Sequence, residues 1–214
     1  MTTYRKYPHT PYLAWSPSVD INDEVLDTTS HFEGKEIVVT EKLDGENTTM
    51  YHDHIHARSI DSANHPSRNW VRALHGQIAH DIPEGMRICG ENLYAKHAIH
   101  YSNLSTYFFV FSIWDAENCA LSWDDTVEWT KLLGLQHVPV LYRGVWDEDI
   151  VKGLYHPTID GNEMEGYVVR LAASFSYKDF ERSLAKWVRK GHVQAGDDHW
   201  SHKQVIPNGL KDKV

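Results

Sequence analysis

The sequence has little cysteine, little positive charge and no long apolar run. Its 214 residues include two cysteines, too few for a disulfide framework or a four-thiolate zinc site. Lys and Arg number 21 against 30 Asp and Glu, a formal net charge of −9. This balance argues against a protein that coats nucleic acid non-specifically, because such binding needs many cations to replace phosphate counterions. It leaves room for a local basic groove.

No apolar run approaches the roughly twenty residues that span a bilayer. The first residues also lack the apolar core of a signal peptide. We therefore expect a protein of a reducing compartment, the cytoplasm, with no membrane partner.

Several nucleotide and hydrolase motifs are missing. There is no G-x-x-x-x-G-K-[ST] loop, no G-x-G-x-x-G after a strand, no G-x-S-x-G elbow and no H-E-x-x-H. The P-loop and Rossmann ways of binding a nucleotide are therefore excluded. A nucleotide site in this chain must be built from scattered side chains.

Strand-like segments outnumber helical ones. The segment 47–59 alternates loosely and predicts a strand that pairs with 35–40 as a hairpin through the Asp44-Gly45 turn. Ser67 and Ser122 are predicted helix N-caps, the second for a helix over 123–133. Further strands are predicted at 87–91, 107–114, 138–142, 167–171 and 186–189, and a short helix at 147–154.

These elements are interspersed without a β-α-β rhythm, which predicts an α+β fold with mainly antiparallel sheets. No linker divides the chain, so we expect one domain over 1–214. His52, His54 and His56 alternate in a predicted strand and would share one face, as metal ligands do. Because no Cys or Asp cluster follows at ligand spacing, solvated histidines are the expected interpretation and a metal site the alternative.

Charged residues lie at the ends of several predicted strands. Lys42 directly precedes the Asp-Gly turn, Glu91 ends one strand, and Glu165 and Lys186 open two others. Arg58 follows the histidine segment. Such residues converge on one cleft when their strands belong to facing sheets.

In this order the segments resemble the covalent nucleotidyltransferase superfamily, which comprises ATP-dependent DNA and RNA ligases and mRNA capping enzymes. K-L-D-G at 42–45 is similar to its K-x-D-G motif, with Lys42 as the lysine that carries the nucleotide. Arg58 resembles the arginine of the next motif, and Glu91 the ribose-binding glutamate. The segment 107–114, especially Phe109 and Phe111, resembles the strand whose aromatic residue stacks on the base.

The later motifs resemble the family pattern with two departures. E-G-Y-V-V-R at 165–170 is similar to E-G-x-V-x-K, with Arg170 in place of lysine. Lys186 begins a segment that resembles the final K-x-K, but Val188 occupies the second cation position. Alternation places Lys190 on the strand face of Lys186 and Arg189 on the opposite face, and the second role stays open between them.

Asn47 is closer to the K-x-x-G-x-N of RNA ligases than to the K-x-D-G-x-R of most DNA ligases and capping enzymes. The resemblance, over about 35–190, implies an adenylation domain of antiparallel sheets with flanking helices. The sequence outside these motifs is too short for a separate OB domain, so none is expected. The resemblance implies an ATP-dependent RNA ligase that uses Mg²⁺ or Mn²⁺. Such an enzyme forms a lysyl-AMP intermediate and joins an RNA 5′-phosphate to a 3′-hydroxyl. The alternatives are a DNA nick ligase, a guanylyltransferase, or a non-catalytic nucleotide- or RNA-binding relative.

The resemblance also implies residue roles. Lys42 and Lys186 would be catalytic, and Glu165 would be the metal ligand. Neighbouring cations, namely Arg58, Lys186 and a bound Mg²⁺, are expected to lower the pKa of Lys42. The implied cofactor-binding residues are Glu41, Lys42, Asp44, Asn47, Arg58, Glu91, Phe111, Glu165, Lys186 and Lys190. Lys178, Arg182 and Arg189, beside Tyr177, Phe180 and Trp187, form a basic and aromatic run predicted to contact RNA phosphates and bases.

Overall fold

The computed structural model describes residues 3–159, 161–191 and 204–211. In these ranges the chain forms strands, three α-helices and four 3₁₀ turns. The strands are β1 (Glu36–Lys42), β2 (Glu46–Tyr51), β3 (Ile55–Ala57), β4 (Arg87–Asn92), β5 (Phe108–Trp114), β6 (Cys119–Ala120), β7 (Gln136–His137), β8 (Val140–Val145), β9 (Thr158–Ile159), β10 (Asn162–Glu163), β11 (Gly166–Leu171), β12 (Phe175–Ser176) and β13 (Leu184–Val188). The helices are α1 (Asn69–Ile78), α2 (Trp123–Leu132) and α3 (Glu148–Lys152), and the 3₁₀ turns are Ser30–Phe32, Pro66–Arg68, Ala79–Asp81 and Tyr177–Arg182.

Two sheets carry most of the strands. The smaller sheet has the order β13-β11-β1-β8. The larger has the order β12-β6-β5-β4-β2-β3, with β7 added beside β5, and β9 and β10 form a separate pair. Of the strand pairs in the described residues, only β5 and β7 run parallel. The predicted α+β fold with mainly antiparallel sheets is confirmed.

The predicted hairpin through the Asp44-Gly45 turn is wrong. β1 pairs with β8 and β11, whereas β2 pairs with β3 and β4. The positions from Ile37 to Glu41 are all buried, the pattern of a central strand covered on both faces. Gly45 makes the crossing possible, because a Cβ there would lie 2.6 Å from the Asn92 carbonyl oxygen. Lys42 therefore stands where the chain leaves one sheet for the other.

A second crossing removes the first two residues of the predicted strand 138–142, which begins at Val140 as part of β8. β7 joins the larger sheet and β8 the smaller one, with Val138 and Pro139 between them. The segment 47–59 is also not one strand but the hairpin β2–β3. His52 and His54 consequently lie in its turn, and the predicted shared face of the three histidines does not form.

The helices begin and end close to the predicted residues. Ser122 caps α2 by accepting a hydrogen bond from the Asp125 N–H at 3.1 Å. α1 begins two residues after Ser67, because Pro66–Arg68 forms a 3₁₀ turn capped by His65. No helix in the described part of the chain has the length and apolar character to cross a membrane.

Candidate active site

A cleft of about 800 Å³ lies between the two sheets. Alternation along the smaller sheet explains its lining. In β11, Tyr167 and Val169 are fully buried in a core beneath α3, and Val168 and Arg170 face the cleft. Lining residues from the smaller sheet include Thr40, Lys42, Val168, Arg170, Leu184 and Lys186, and those from the larger sheet include Asn47, Ala57, Glu91 and Phe111.

Lys42 ends β1 directly opposite Gly166 of β11. Its ammonium Nζ lies 2.6 Å from the Glu165 carboxylate Oε1, and Glu165 is only 3% exposed. The Lys42 side chain is 27% exposed and faces the cleft. The K-L-D-G and E-G-Y-V-V-R motifs thus meet across the antiparallel pair of β1 and β11.

Arg58 and Lys186 alone do not lower the pKa of Lys42 as expected. Burial does lower the pKa, but the charges of Glu165 and Glu91 and the hydrogen bond that Lys42 donates to Glu165 outweigh it, so the pKa is raised. Lys186 shows the expected shift instead. Burial, followed by the charge of Lys42, lowers the pKa of Lys186 to about 8. Of the two lysines, Lys186 therefore loses its charge at the lower pH.

The segment before β1 holds Lys186 in place. The backbone N–H of Lys186 donates to the Pro11 carbonyl at 2.9 Å, and the Lys186 carbonyl accepts from the Leu13 N–H at 2.8 Å. The Lys186 Nζ lies 3.9 Å from the centre of the Tyr12 ring. These contacts fix the ammonium on the cleft side of β13 by hydrogen bonding and a cation–π contact.

The larger sheet places Glu91 and Asn47 side by side in paired positions of β4 and β2. The Glu91 Oε1 accepts a hydrogen bond from the Gly45 N–H at 3.1 Å. Burial raises the pKa of Glu91 to about 8. The charges of Glu165 and Asp44 reinforce this shift, and the charge of Lys42 offsets it only in part. The buried Oδ1 of Asn47 accepts no hydrogen bond from the described residues. Both side chains thus offer polar atoms to a ligand of the cleft.

Other predicted residues line the cleft as well. Arg58 is exposed at its rim, and Glu41 is buried in its wall with its N–H bonded to the Pro139 carbonyl at 2.9 Å. Phe111 is partly buried and faces the cleft, whereas Phe109 is 7% exposed within the core. Of the two phenylalanines, only Phe111 is placed to meet a base.

Asp44 lies outside the lining residues. Its Oδ2 accepts from the Ile99 N–H at 2.6 Å, and its own N–H donates to the Tyr101 hydroxyl at 2.9 Å. The side chain ties the turn after Lys42 to the loop 93–104. Its predicted contact with the nucleotide stays a prediction.

The predicted alignment of Lys190 with Lys186 is wrong. β13 ends at Val188, so Lys190 falls in a turn, exposed and away from the cleft lining. Strand alternation ends with the strand, because the pleat no longer sets the direction of the side chain. Arg189 also lies outside the lining and pairs with Glu163 at 2.7 Å.

For Phe180 and Trp187, the predicted stacking on RNA bases is also wrong. Phe180 is 2% exposed and packs against Trp114. Trp187 stacks on Tyr167, with ring centroids 5.4 Å apart and planes within 5°. These rings are occupied by the core and are not free to stack on bases. Lys178 and Arg182 are exposed, and their contact with RNA phosphates stays a prediction.

Several lining residues were not predicted from the sequence. Arg68, at the end of its 3₁₀ turn, donates through Nε to both Glu46 carboxylate oxygens, at 3.0 and 2.8 Å. His97 enters from the loop 93–104. Arg170, assigned from the sequence to the lysine position of the E-G-x-V-x-K motif, donates to the Leu121 carbonyl at 2.7 Å. Arg68 and His97 sit in segments without strand alternation, where the sequence gives no signal of direction.

Among the described residues, no group of three or more His, Cys, Asp or Glu side chains could hold a metal ion. Carboxylates do line the region around Lys42, and Glu165 and Glu91 are the two whose charges act most strongly on it. Mg²⁺ is held in many proteins by one or two carboxylates together with substrate phosphates. The donor set therefore fits a metal that arrives with a nucleotide better than a resident ion.

The model of the RNA ligase family matches residues 35–188. The chain belongs to the RNA ligase family. This confirms the predicted resemblance, and the matched range spans the motifs from β1 to β13. None of the curated proteins compared with the chain matches it.

Solved structures of Naegleria gruberi RNA ligase share the fold. A mutant without ligand has a TM-score of 0.54 at 17% identity, covering 75% of this chain and 51% of that one. A mutant with ATP and Mn has a TM-score of 0.53 at 19% identity, covering 76% and 52%. The structure with PPi has a TM-score of 0.53 at 20% identity, covering 75% and 51%. This RNA ligase family member thus spans about half the length of the solved structures it matches.

Proposed function

We propose that the chain is the nucleotidyltransferase domain of an ATP-dependent RNA ligase, with Lys42 as the nucleophile. One observation carries the proposal: Lys42, Arg58, Glu91, Glu165 and Lys186, which are scattered over the sequence, meet at one cleft between two sheets. Cations suit a polyphosphate, and carboxylates suit ribose hydroxyls and a divalent metal.

In the first step, the neutral amine of Lys42 attacks the α-phosphorus of ATP. An N–P bond forms, the bond from the α-phosphorus to the bridging oxygen breaks, and pyrophosphate leaves with that electron pair. Lys42 starts as an ammonium, because its pKa is raised, and the step removes two protons from Nζ. The first leaves before the attack, and since Glu165 holds Nζ at 2.6 Å, this carboxylate is the nearest group to receive it. The second leaves as the N–P bond forms and passes to the departing pyrophosphate. The product is a lysyl-AMP phosphoramidate.

In the second step, an oxygen of an RNA 5′-phosphate attacks the AMP phosphorus and the N–P bond breaks, so Lys42 is regenerated. In the third step, an RNA 3′-hydroxyl attacks the activated 5′-phosphate and AMP leaves. Each step is an in-line displacement that depends mainly on positioning and charge stabilisation. Lys186 and Arg58 supply cations at the cleft for that purpose.

The remaining lining residues hold the nucleotide. Glu91 accepts hydrogen bonds from ribose hydroxyls, and Phe111 stacks on the base. Glu165, together with phosphate oxygens, is the residue that would hold Mg²⁺ or Mn²⁺, and such an ion supplies positive charge against the phosphates when bound. Naegleria gruberi RNA ligase structures with ATP and Mn and with PPi support the choice of nucleotide and metal.

The test is transfer of label from α-labelled ATP in the presence of Mg²⁺, read on a denaturing gel. Wild type should retain label, and Lys42→Ala should not. Lys42→Arg should also fail, because a guanidinium stays protonated and is not a nucleophile. Lys131→Ala, at an exposed lysine of α2, is the matched control and should label like wild type.

The substrate is tested separately. Labelled GTP should give no adduct, and the protein should seal RNA ends in preference to matched DNA nicks. Label from GTP alone would indicate a guanylyltransferase, and preferential sealing of DNA would indicate a DNA nick ligase. A wild type that binds ATP but never retains label would be a non-catalytic relative, and the proposal would be wrong.

A further inference from the structure

The segment 204–211 packs along the loop 93–104, which borders the cleft. Backbone hydrogen bonds join the two: the Lys96 N–H donates to the Ile206 carbonyl at 2.7 Å, and the Leu104 N–H to the Gly209 carbonyl at 2.9 Å. Gly209 allows this approach, because a Cβ there would lie 2.8 Å from the Ser102 carbonyl oxygen. The contact is therefore close and directional.

Asn208 is the centre of this contact and is 3% exposed. Its Oδ1 accepts from the Tyr101 N–H at 2.9 Å, and its Nδ2 donates to the Leu93 carbonyl at 2.8 Å and the Ala95 carbonyl at 3.4 Å. Its backbone N–H donates to the Tyr94 carbonyl at 2.9 Å. One buried side chain thus fixes both ends of the loop. Loss of its amide would leave buried backbone groups without partners.

Tyr101 connects Asn208 to the turn that follows Lys42. The residue is 1% exposed, and its hydroxyl accepts a hydrogen bond from the Asp44 N–H at 2.9 Å. The Asp44 carboxylate in turn accepts from the Ile99 N–H of the same loop at 2.6 Å. Asp44 lies two residues after Lys42, in the turn where the chain crosses between sheets. A continuous series of hydrogen bonds therefore runs from Asn208 through Tyr101 to the Lys42 turn.

We propose that Asn208 is a positioning residue for the Lys42 turn, acting through Tyr101 and Asp44. This inference rests on the proposed function, since its consequence is the rate of lysyl-AMP formation. Asn208 and Tyr101 do not line the cleft, so neither is expected to contact ATP. Their loss should slow attack by Lys42 while leaving the affinity for ATP close to that of wild type.

The experiment measures single-turnover transfer of label from α-labelled ATP to the full-length chain over a range of ATP concentrations. Asn208→Ala and Tyr101→Phe should each lower the maximal rate constant by about 10-fold or more, because small misplacements of a reacting group have effects of this size. The ATP concentration for half-maximal rate should change by less than about 3-fold, since only transition-state interactions are lost. The double variant should be no slower than the slower single one, because both changes interrupt the same series.

Two control variants accompany these. Lys211→Ala removes an exposed side chain from the same segment, and Tyr142→Phe removes a tyrosine hydroxyl that bonds to the Val145 carbonyl in β8. Both should react like wild type. Circular dichroism tests whether each variant is folded at the assay temperature. If Asn208→Ala is unfolded, the rate of Tyr101→Phe alone tests the inference.

Label on the wild type with unchanged rate constants in the folded variants would overturn the inference and leave the proposed function intact. If the rate losses of the two single variants multiply in the double variant, the inference is overturned as well, because Asn208 and Tyr101 would then act independently of each other. No label on the wild type would overturn the proposed function and the inference with it.

Discussion

Replacing Glu91 with glutamine should change how the stability of the protein depends on pH. Burial, reinforced by Glu165 and Asp44, raises the pKa of Glu91 from 4.5 to about 8 in the folded chain. Between these values the folded state keeps a proton that the unfolded state has lost. The free energy of unfolding therefore falls as pH rises, by up to about 1.4 kcal/mol per pH unit. Glutamine holds no such proton, so this contribution disappears in the variant.

The assay is urea unfolding at constant ionic strength, followed by the fluorescence of the 8 tryptophans. From about pH 5.5 to about pH 7.5, Glu91→Gln should gain up to about 2.7 kcal/mol relative to wild type. Glu33→Gln, at an exposed glutamate, controls for the chemical change outside the cleft. A difference that stays constant with pH would refute the reasoning. Such a constant difference would show that Glu91 is already ionised in the folded chain across this range, as an ion pair with Lys42 would make it.

Further outcomes follow from other residues of the cleft. Because the pKa of Lys186 is about 8, wild-type affinity for ATP should fall above that pH, and Lys186→Arg should remove the dependence when both are compared by calorimetry. Gly45→Ala should lower the free energy of unfolding by about 1–3 kcal/mol and slow labelling by ATP, since its Cβ would meet a backbone carbonyl at 2.6 Å. Gly76→Ala is the control, because nothing lies within 4 Å of a Cβ at that position of α1, and it should not be destabilising. Phe111→Ala should weaken ATP binding about 10-fold through lost stacking, whereas Phe109→Ala should cost about 3–5 kcal/mol of stability; equal effects on ATP affinity would contradict their assignment.

The sequence predicted those features that local patterns determine. The β-branched residues of β1 and β11 and the aromatic residues of β5 indicate strands, and Ser122 with Asp125 indicates the start of α2, as observed. The ordered motifs also predicted which charged residues meet. Lys42 ends β1, Glu91 is the last residue but one of β4, and Lys186 lies in the middle of β13, and all three line the cleft.

Other features depend on which strands pair, and local patterns do not encode this. An Asp-Gly pair is typical of a hairpin turn, but β1 already has two partners, so the chain crosses to the other sheet at Gly45. The pKa of Lys42 depends on Glu165, which is 123 residues away in sequence and 2.6 Å away in space. The segment 204–211 contacts the loop 93–104 mainly through backbone groups and one asparagine, and such contacts leave no periodic signal.

The central claim is that the amine of Lys42 becomes bonded to phosphorus. Intact-mass spectrometry after incubation with ATP and Mg²⁺, followed by peptide mapping, measures this directly. We predict a gain of one AMP per chain, located on Lys42, lost on addition of pyrophosphate and absent in Lys42→Ala. No gain in mass, or a gain located on a different residue, would contradict the account.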